Sequence, residues 1–217
     1  MMRRLVLVSL MLLAVSGVNA MQDKKAKEIL QKVSENTRSF ESLSVDFIFT
    51  MENEEMAIHE ENDGSIQLKG QKYLVNLPDI GIKVYSDGIS IWNYMVDGNQ
   101  VTISSVDADG GELMNPSSLF SIYEKGFNSE YVGEKSIEGK QFHEIELYPG
   151  EDEYDVSKVS LLIDKSAMMI NSATLYGTDG NLYGIKINDM KTDVGLPDDY
   201  FEFNAAEYND IEIIDFR

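Results

Sequence analysis

Apolar residues in segment 22–40 recur every three to four positions. Ala26, Ile29, Leu30 and Val33 would fall on one stripe of a helix, with lysines and other polar residues around the rest of its surface. The spacing predicts an amphipathic helix near the start of the chain.

Beyond this segment, apolar positions alternate with polar ones, as in strands buried on one face. In Leu43–Met51, for example, Val45, Phe47 and Phe49 share a face. Further short segments rich in β-branched and aromatic residues follow at Lys72–Leu77, Ile82–Ser86, Ile89–Met95, Gln100–Val106, Glu130–Ile137, Gln141–Tyr148, Val156–Ile163, Met168–Tyr176 and Leu182–Met190. No βαβ alternation is visible, so we expect about eleven strands in a mostly antiparallel sheet.

Asp-Gly pairs divide these segments. They stand at 63–64, 87–88, 97–98, 109–110 and 179–180. Because this dipeptide tolerates the positive φ angles of tight hairpins, each pair predicts a turn between strands.

One apolar stretch interrupts the strand pattern. Asn115-Pro116 provides an N-cap residue and a proline at the first helical position, and Leu119 and Ile122 lie in the short helix that follows. Two helices cannot cover both faces of so many strands. We therefore expect an unclosed, strongly curved antiparallel β-barrel whose concave side is closed by the N-terminal helix and this inserted helix, acting as a lid.

Composition narrows the classes of function. The 217 residues carry a formal net charge of −20, which argues against nucleic acid as a partner. Cysteine is absent, so disulfides, thiolate metal sites and cysteine nucleophiles are excluded. His59 and His143 are the only histidines, and no motif of a hydrolase, zinc protease or phosphate loop occurs. We expect a protein that is not an enzyme and that holds no metal or cofactor.

The first twenty residues resemble a secretory signal peptide. Arg3 and Arg4 precede the apolar run Leu5–Val15, and small residues end at Ala20. Eleven helical residues span roughly 16 Å, about half of a hydrocarbon core, so a membrane anchor is not expected. We predict removal of residues 1–20, export, and a single domain over residues 21–217 that is a monomer.

The strands offer more large apolar groups than one tightly filled core needs. In Lys72–Leu77, Tyr73, Val75 and Leu77 share one face and Leu74 lies on the other. Such groups either form an ordinary core or line a cavity for an apolar ligand. Trp92, the only tryptophan, either anchors a strand pair or forms part of the cavity wall.

Several motifs, in this order, are similar to those of the LolA-type outer-membrane lipoprotein carriers. They are Gly64-Ser65-Ile66-Gln67-Leu68-Lys69 with Lys72-Tyr73, Ser86-Asp87-Gly88-Ile89-Ser90-Ile91-Trp92-Asn93-Tyr94, Asn115-Pro116, Leu196-Pro197-Asp198-Asp199-Tyr200-Phe201-Glu202-Phe203, and Ile211-Glu212-Ile213-Ile214-Asp215. The resemblance covers about residues 24 to 215.

This resemblance implies a periplasmic carrier without enzymatic activity. Such a carrier takes triacylated lipoproteins from an inner-membrane ABC-type transporter and delivers them to the outer membrane, where an acceptor receives them. The acyl cavity and lid would then be lined by Leu30, Val33, Phe47, Phe49, Tyr73, Val75, Leu77, Trp92, Leu119 and Ile122.

The sequence departs from the family pattern at one motif. Many family members carry Arg-Pro after the strand lysine, and that arginine ties barrel to lid, whereas Gly70-Gln71 follows Lys69 in this sequence.

A periplasmic sensor of the RseB type, which couples an acyl ligand to a signalling partner, is the alternative function. Those regulators usually have an additional C-terminal domain, and the sequence stops just after the last expected strand, so we expect the carrier.

Overall fold

The computed structural model describes residues 23–106, 127–150 and 155–217. Three predictions fall outside the described residues: the signal peptide of residues 1–20, the turn at 109–110, and the inserted helix with Leu119 and Ile122.

In the described part of the chain, one α-helix, α1, covers residues 23–39 and twelve strands follow it. The first six strands are β1 Leu43–Asn53, β2 Ile58–Lys69, β3 Lys72–Leu77, β4 Ile82–Ser86, β5 Ser90–Met95 and β6 Gln100–Ser105. The others are β7 Phe127–Ile137, β8 Lys140–Pro149, β9 Val156–Asp164, β10 Met169–Gly177, β11 Leu182–Thr192 and β12 Glu212–Asp215. Two short 3₁₀ helices, Asp198–Phe201 and Ala205–Glu207, precede β12.

All twelve strands form one sheet in the order β12-β6-β5-β4-β3-β2-β1-β11-β10-β9-β8-β7. Every neighbouring pair is antiparallel except β12 and β6, which run parallel. The edge strands β12 and β7 do not pair with each other, so the sheet curves without closing. The prediction of a mostly antiparallel, unclosed curved sheet is confirmed, with twelve strands instead of about eleven.

The strand register divides the side chains between two faces. Val45 lies opposite Ile66, which lies opposite Val75, and all three are buried on what we call the inner face. Leu161 and Ile145 lie on the same face at the other side of the sheet. The other face is called the outer face.

The Asp-Gly pairs behave in two ways. Those at 87–88, 97–98 and 179–180 lie between strands as predicted, and Gly88 and Gly180 have φ angles of +89° and +85°. The turn predicted at 63–64 is wrong, because both residues lie inside β2 and pair with Phe47 and Ile48 of β1.

Helix α1 packs on the inner face of the sheet. The Asn36 side-chain amide donates to the carbonyl oxygens of Ala167 and Met168 at 3.1 and 3.3 Å. Nearer the start of the helix, the Lys25 ammonium lies 3.7 Å from the ring centroid of Tyr131 on β7. Within the described residues, no helix is long and apolar enough to cross a bilayer.

The segment after β11 packs on the outer face. Phe203 lies 5.6 Å from Tyr85 and 5.4 Å from Tyr94 between ring centroids, and Tyr94 also contacts Tyr208. The Lys69 ammonium donates to the carbonyl oxygen of Leu196 at 2.8 Å. The protein's own chain therefore covers the outer face of the sheet around Lys69, Tyr85 and Tyr94.

Candidate functional site

The inner face carries two apolar clusters. The first, which we call the helix cluster, joins the buried stripe of α1 to the inner face of β7–β10. Its fourteen buried members are Ala26, Ile29, Leu30, Val33, Tyr131, Ile145, Leu147, Val156, Val159, Leu161, Ile163, Ile170, Ala173 and Leu175. Four half-buried residues pack against it: Phe127, Met168, Tyr183 and Ile185.

The second cluster, called the strand cluster, lies on β1–β3 and consists of six buried residues: Leu43, Val45, Phe47, Ile66, Tyr73 and Val75. Eight half-buried apolar residues surround it, on these strands, on β4, on β11 and after α1: Phe40, Phe49, Leu68, Leu77, Val84, Ile185, Ile187 and Met190. The α1 side chains that seal the helix cluster are not part of this cluster. It therefore presents a band of large, partly accessible apolar side chains, which is the kind of surface that an apolar ligand contacts.

Gly64 gives the strand cluster its shape. A Cβ atom at this position would clash with the Phe47 ring, which lies opposite, and would come within 2.8 Å of Leu77 Cδ2. Glycine in the middle of a strand often marks such a close approach. Gly64 therefore lets the Phe47 ring and the Leu77 side chain lie over the backbone of β2.

A buried amide pair links the end of β1 to the start of β11. The Asn53 side chain donates to Asn181 Oδ1 at 2.7 Å, and Asn181 in turn donates to the Asp179 carboxylate. The pair joins the β1–β2 turn to the β10–β11 turn. Nearby, the Phe49 and Tyr183 rings stack with centroids 6.4 Å apart, where the two clusters meet.

The predicted site residues that the structure describes fall into three groups. Phe47, Tyr73 and Val75 are buried in the strand cluster, with Phe49 and Leu77 half-buried beside them. A separate group, Leu30 and Val33, lies on the underside of α1 and is buried in the helix cluster, away from the strand cluster.

Trp92 stands apart from the other predicted site residues. It pairs with Tyr85 and Ile103 on the outer face, whereas Val75 and its neighbours lie on the inner face. We therefore correct the expectation that Trp92 shares a surface with Val75, and its role as the anchor of a strand pair fits its position.

Sequence reasoning missed several members of the strand cluster. Leu68 and Val84 follow from the alternation that places Ile66 and Tyr73 on the inner face, so this signal was present. Ile185 and Ile187 lie on the eleventh strand of the sequence, and only the long-range pairing of β11 with β1 brings them to the same surface.

Two polar contacts lie beside the helix cluster. The Tyr131 hydroxyl lies 3.3 Å from His143 Nδ1, and Lys165 forms a 2.8 Å ion pair with Glu134 on the neighbouring strand. Burial and the nearby Lys165 lower the pKa of His143 below its usual value. Among the described residues, no group of three or more His, Asp and Glu side chains could hold a metal ion.

A large, curved, unclosed antiparallel sheet with one helix on its apolar inner face defines the class of LolA-like folds. Residues 38–204 match the family described as outer membrane lipoprotein carrier protein LolA. The chain belongs to this family.

Two solved structures that are similar to this chain illustrate the comparison with known proteins. An uncharacterized conserved protein from Thermus thermophilus is similar with a TM-score of 0.61 and 13% identity, over 88% of this chain and 99% of that one. A LolA superfamily protein from Nitrosomonas europaea is similar with a TM-score of 0.46 and 15% identity, over 82% and 97%.

A curated relative is known from an archaeon. An uncharacterized protein of Methanocaldococcus jannaschii is 23% identical over 212 residues, which are 94% of this chain. The chain spans 58% of the length of that relative.

Proposed function

We propose that the strand cluster binds the acyl chains of lipoproteins, and that the protein is a periplasmic carrier without enzymatic activity. The observation that carries this proposal is the band of eight half-buried apolar side chains around the strand cluster, on the same face where α1 seals the helix cluster. Membership of the lipoprotein carrier family supports it.

The energetics of the cargo explain the need for such a surface. At roughly 0.8 kcal/mol per methylene, exposing one sixteen-carbon chain to water costs on the order of 12 kcal/mol. A triacylated lipoprotein has three such chains and requires a protein that keeps them out of water. Triacylated lipoproteins would be supplied by an inner-membrane ABC-type transporter and delivered to an acceptor at the outer membrane.

Matched leucines on β3 test the binding surface. Leu77 lies on the inner face and Leu74 on the outer face, and both are half-buried. Leu77→Glu places a charge among the acyl-contacting side chains, so we expect the affinity for a tripalmitoylated cysteinyl lipopeptide to fall by at least about tenfold. Leu74→Glu makes the same chemical change on the other face and is expected to leave the affinity within about twofold.

Both variants are first checked by circular dichroism and thermal unfolding, and the affinity is then measured by fluorescence titration on the folded protein. An equal loss of affinity in both variants, or none in Leu77→Glu, contradicts the assignment of the acyl site to the inner face.

A transfer assay tests the carrier step. The protein is loaded with the lipopeptide and mixed with phospholipid vesicles, and the lipopeptide is then quantified in both fractions. We expect transfer to the vesicles. Stable retention without transfer favours the alternative role, in which an acyl ligand regulates a signalling partner.

A further inference from the structure

Strand β2 is longer than its neighbour β3. It runs from Ile58 to Lys69, but β3 pairs only with Ser65–Lys69. The first half of β2 pairs with β1 alone among the described residues. On the side away from β1, no described strand therefore pairs with residues 58–63, and this strand edge is exposed.

The direction of the backbone groups at this edge follows from the β2–β3 hairpin. Lys69 and Lys72 flank its two-residue turn and lie opposite each other, which is the position of a hydrogen-bonded pair. Backbone groups alternate along a strand, so the odd-numbered residues of β2 point away from β1. The backbone of Asp63 has this direction, because its N–H donates to the Asp79 carboxylate at 3.3 Å on the β3 side.

The two odd-numbered residues that precede Asp63, His59 and Glu61, therefore direct their backbone N–H and C=O groups to the exposed edge. Their side chains are exposed, as are those of Glu60 and Asp63. An edge of this kind accepts an added strand through main-chain hydrogen bonds. Its three carboxylates favour a strand that carries basic residues.

The same edge borders the strand cluster. Asn62 pairs with Phe49 across β1 and β2, and Gly64 pairs with Phe47. A ligand whose acyl chains lie on the strand cluster would have its polar end within a few residues of this edge. This continuity identifies the occupant as the polypeptide that follows the acylated residue.

We propose that the exposed edge of β2 at His59–Glu61 binds the N-terminal polypeptide segment of an acylated cargo as an added β-strand, with a preference for basic segments. This inference rests on the proposed function and specifies which part of the cargo the protein reads besides its lipid. The acidic side chains would otherwise serve only to keep the edge from pairing with other chains, and the two roles give different results below.

The test compares three probes with identical acyl chains: tripalmitoylated cysteine amide, the same group followed by Ser-Lys-Thr-Lys-Thr-Lys, and the same group followed by Ser-Glu-Thr-Glu-Thr-Glu. We expect the basic tail to tighten binding roughly tenfold over the tail-less probe, through main-chain hydrogen bonds and charge. The acidic tail should give no gain. The basic tail should also protect the amides of residues 59 and 61 from hydrogen exchange.

A pair of substitutions at one position separates the backbone from the charge. Glu61→Pro removes the N–H that points to the exposed edge and leaves the backbone groups of the even-numbered residues, which pair with β1, unchanged. The measured quantity is the dissociation constant of the tail-less probe divided by that of the basic-tail probe. We expect Glu61→Pro to bring this ratio close to one. Glu61→Gln keeps the N–H and should lower this ratio only about twofold.

Equal binding of the basic-tail and tail-less probes, or the same ratio in wild type and Glu61→Pro, overturns the inference and leaves edge protection as the role of the carboxylates. If no acylated probe binds, the proposed function fails. Strand addition at the β2 edge is then tested separately with the unacylated basic peptide. Protection of amides 59 and 61 by that peptide supports strand addition, and its absence overturns it.

Discussion

The helix cluster and the strand cluster occupy the same face of one sheet, yet they are built differently. Fourteen buried residues form the helix cluster and four half-buried ones border it, whereas the strand cluster has six buried residues and eight half-buried ones. The difference comes from α1, whose apolar stripe seals β7–β10 and contributes no side chain to the strand cluster.

This division would allow one curved sheet to combine a stable core with the proposed binding surface. Burying a large aliphatic side chain contributes about 1.5–3 kcal/mol, so the helix cluster is the larger source of folding free energy. The half-buried side chains around the strand cluster contribute less to folding and are partly accessible, which the proposed acyl binding requires. The following predictions test this division.

The largest effect is expected in the helix cluster. Leu161 is 0% exposed, and Leu161→Ala should lower the free energy of unfolding by about 2–5 kcal/mol through lost burial and a cavity. Acyl affinity of the folded variant should change little, because Leu161 belongs to the other cluster. Chemical denaturation and lipopeptide titration measure the two quantities.

The neighbouring leucine is the control. Leu162 is half-buried on the outer face, so Leu162→Ala should cost well under half as much stability as Leu161→Ala. Similar losses in both variants would show that the two faces of β9 contribute equally and would remove the basis of the comparison.

A smaller effect, on both stability and binding, is expected at Gly64. Gly64→Ala forces the Phe47 ring or Leu77 to move, and overpacking of this kind costs about 1–3 kcal/mol. Because these side chains belong to the proposed acyl surface, lipopeptide affinity should fall as well. The matched change Gly133→Ala, at a position where an added Cβ meets nothing within 4 Å, should leave affinity unchanged. Equal affinity in Gly64→Ala and wild type would place the acyl chains elsewhere.

Local alternation was sufficient to predict most of the strands and their own faces. The predicted segments Lys72–Leu77 and Ile82–Ser86 match β3 and β4 residue for residue, and Tyr73 and Val75 share a face opposite to Leu74. These features depend on neighbours two residues apart, which the sequence displays directly.

Other features depend on distant parts of the chain. Asp63-Gly64 carries a turn signal, but pairing with β1 and the space needed by Phe47 hold it inside β2. The face of Trp92 relative to Val75 depends on the register through β4, which periodicity within one strand does not contain. Likewise, no local pattern specifies that α1 packs on β7–β10 rather than on β1–β4.

The smallest effect is a pH dependence specific to the helix cluster. The pKa of His143 is lowered by burial and by Lys165, with Glu134 opposing, so the folded state favours the neutral ring. As pH falls through the unfolded value near 6.5 toward the lower folded value, the unfolded chain takes up the proton first and stability declines. Between pH 7 and 5.5 we expect a loss of less than about 1 kcal/mol from this residue.

The comparison with His143→Gln isolates this contribution, because glutamine keeps hydrogen-bonding capacity near the Tyr131 hydroxyl but does not titrate. The variant should lose less stability than wild type between pH 7 and 5.5, as measured by denaturant unfolding at each pH. If His143→Gln instead followed the wild-type curve, protonation at the α1–sheet contact would not affect folding, and the helix cluster would owe its stability to apolar packing alone.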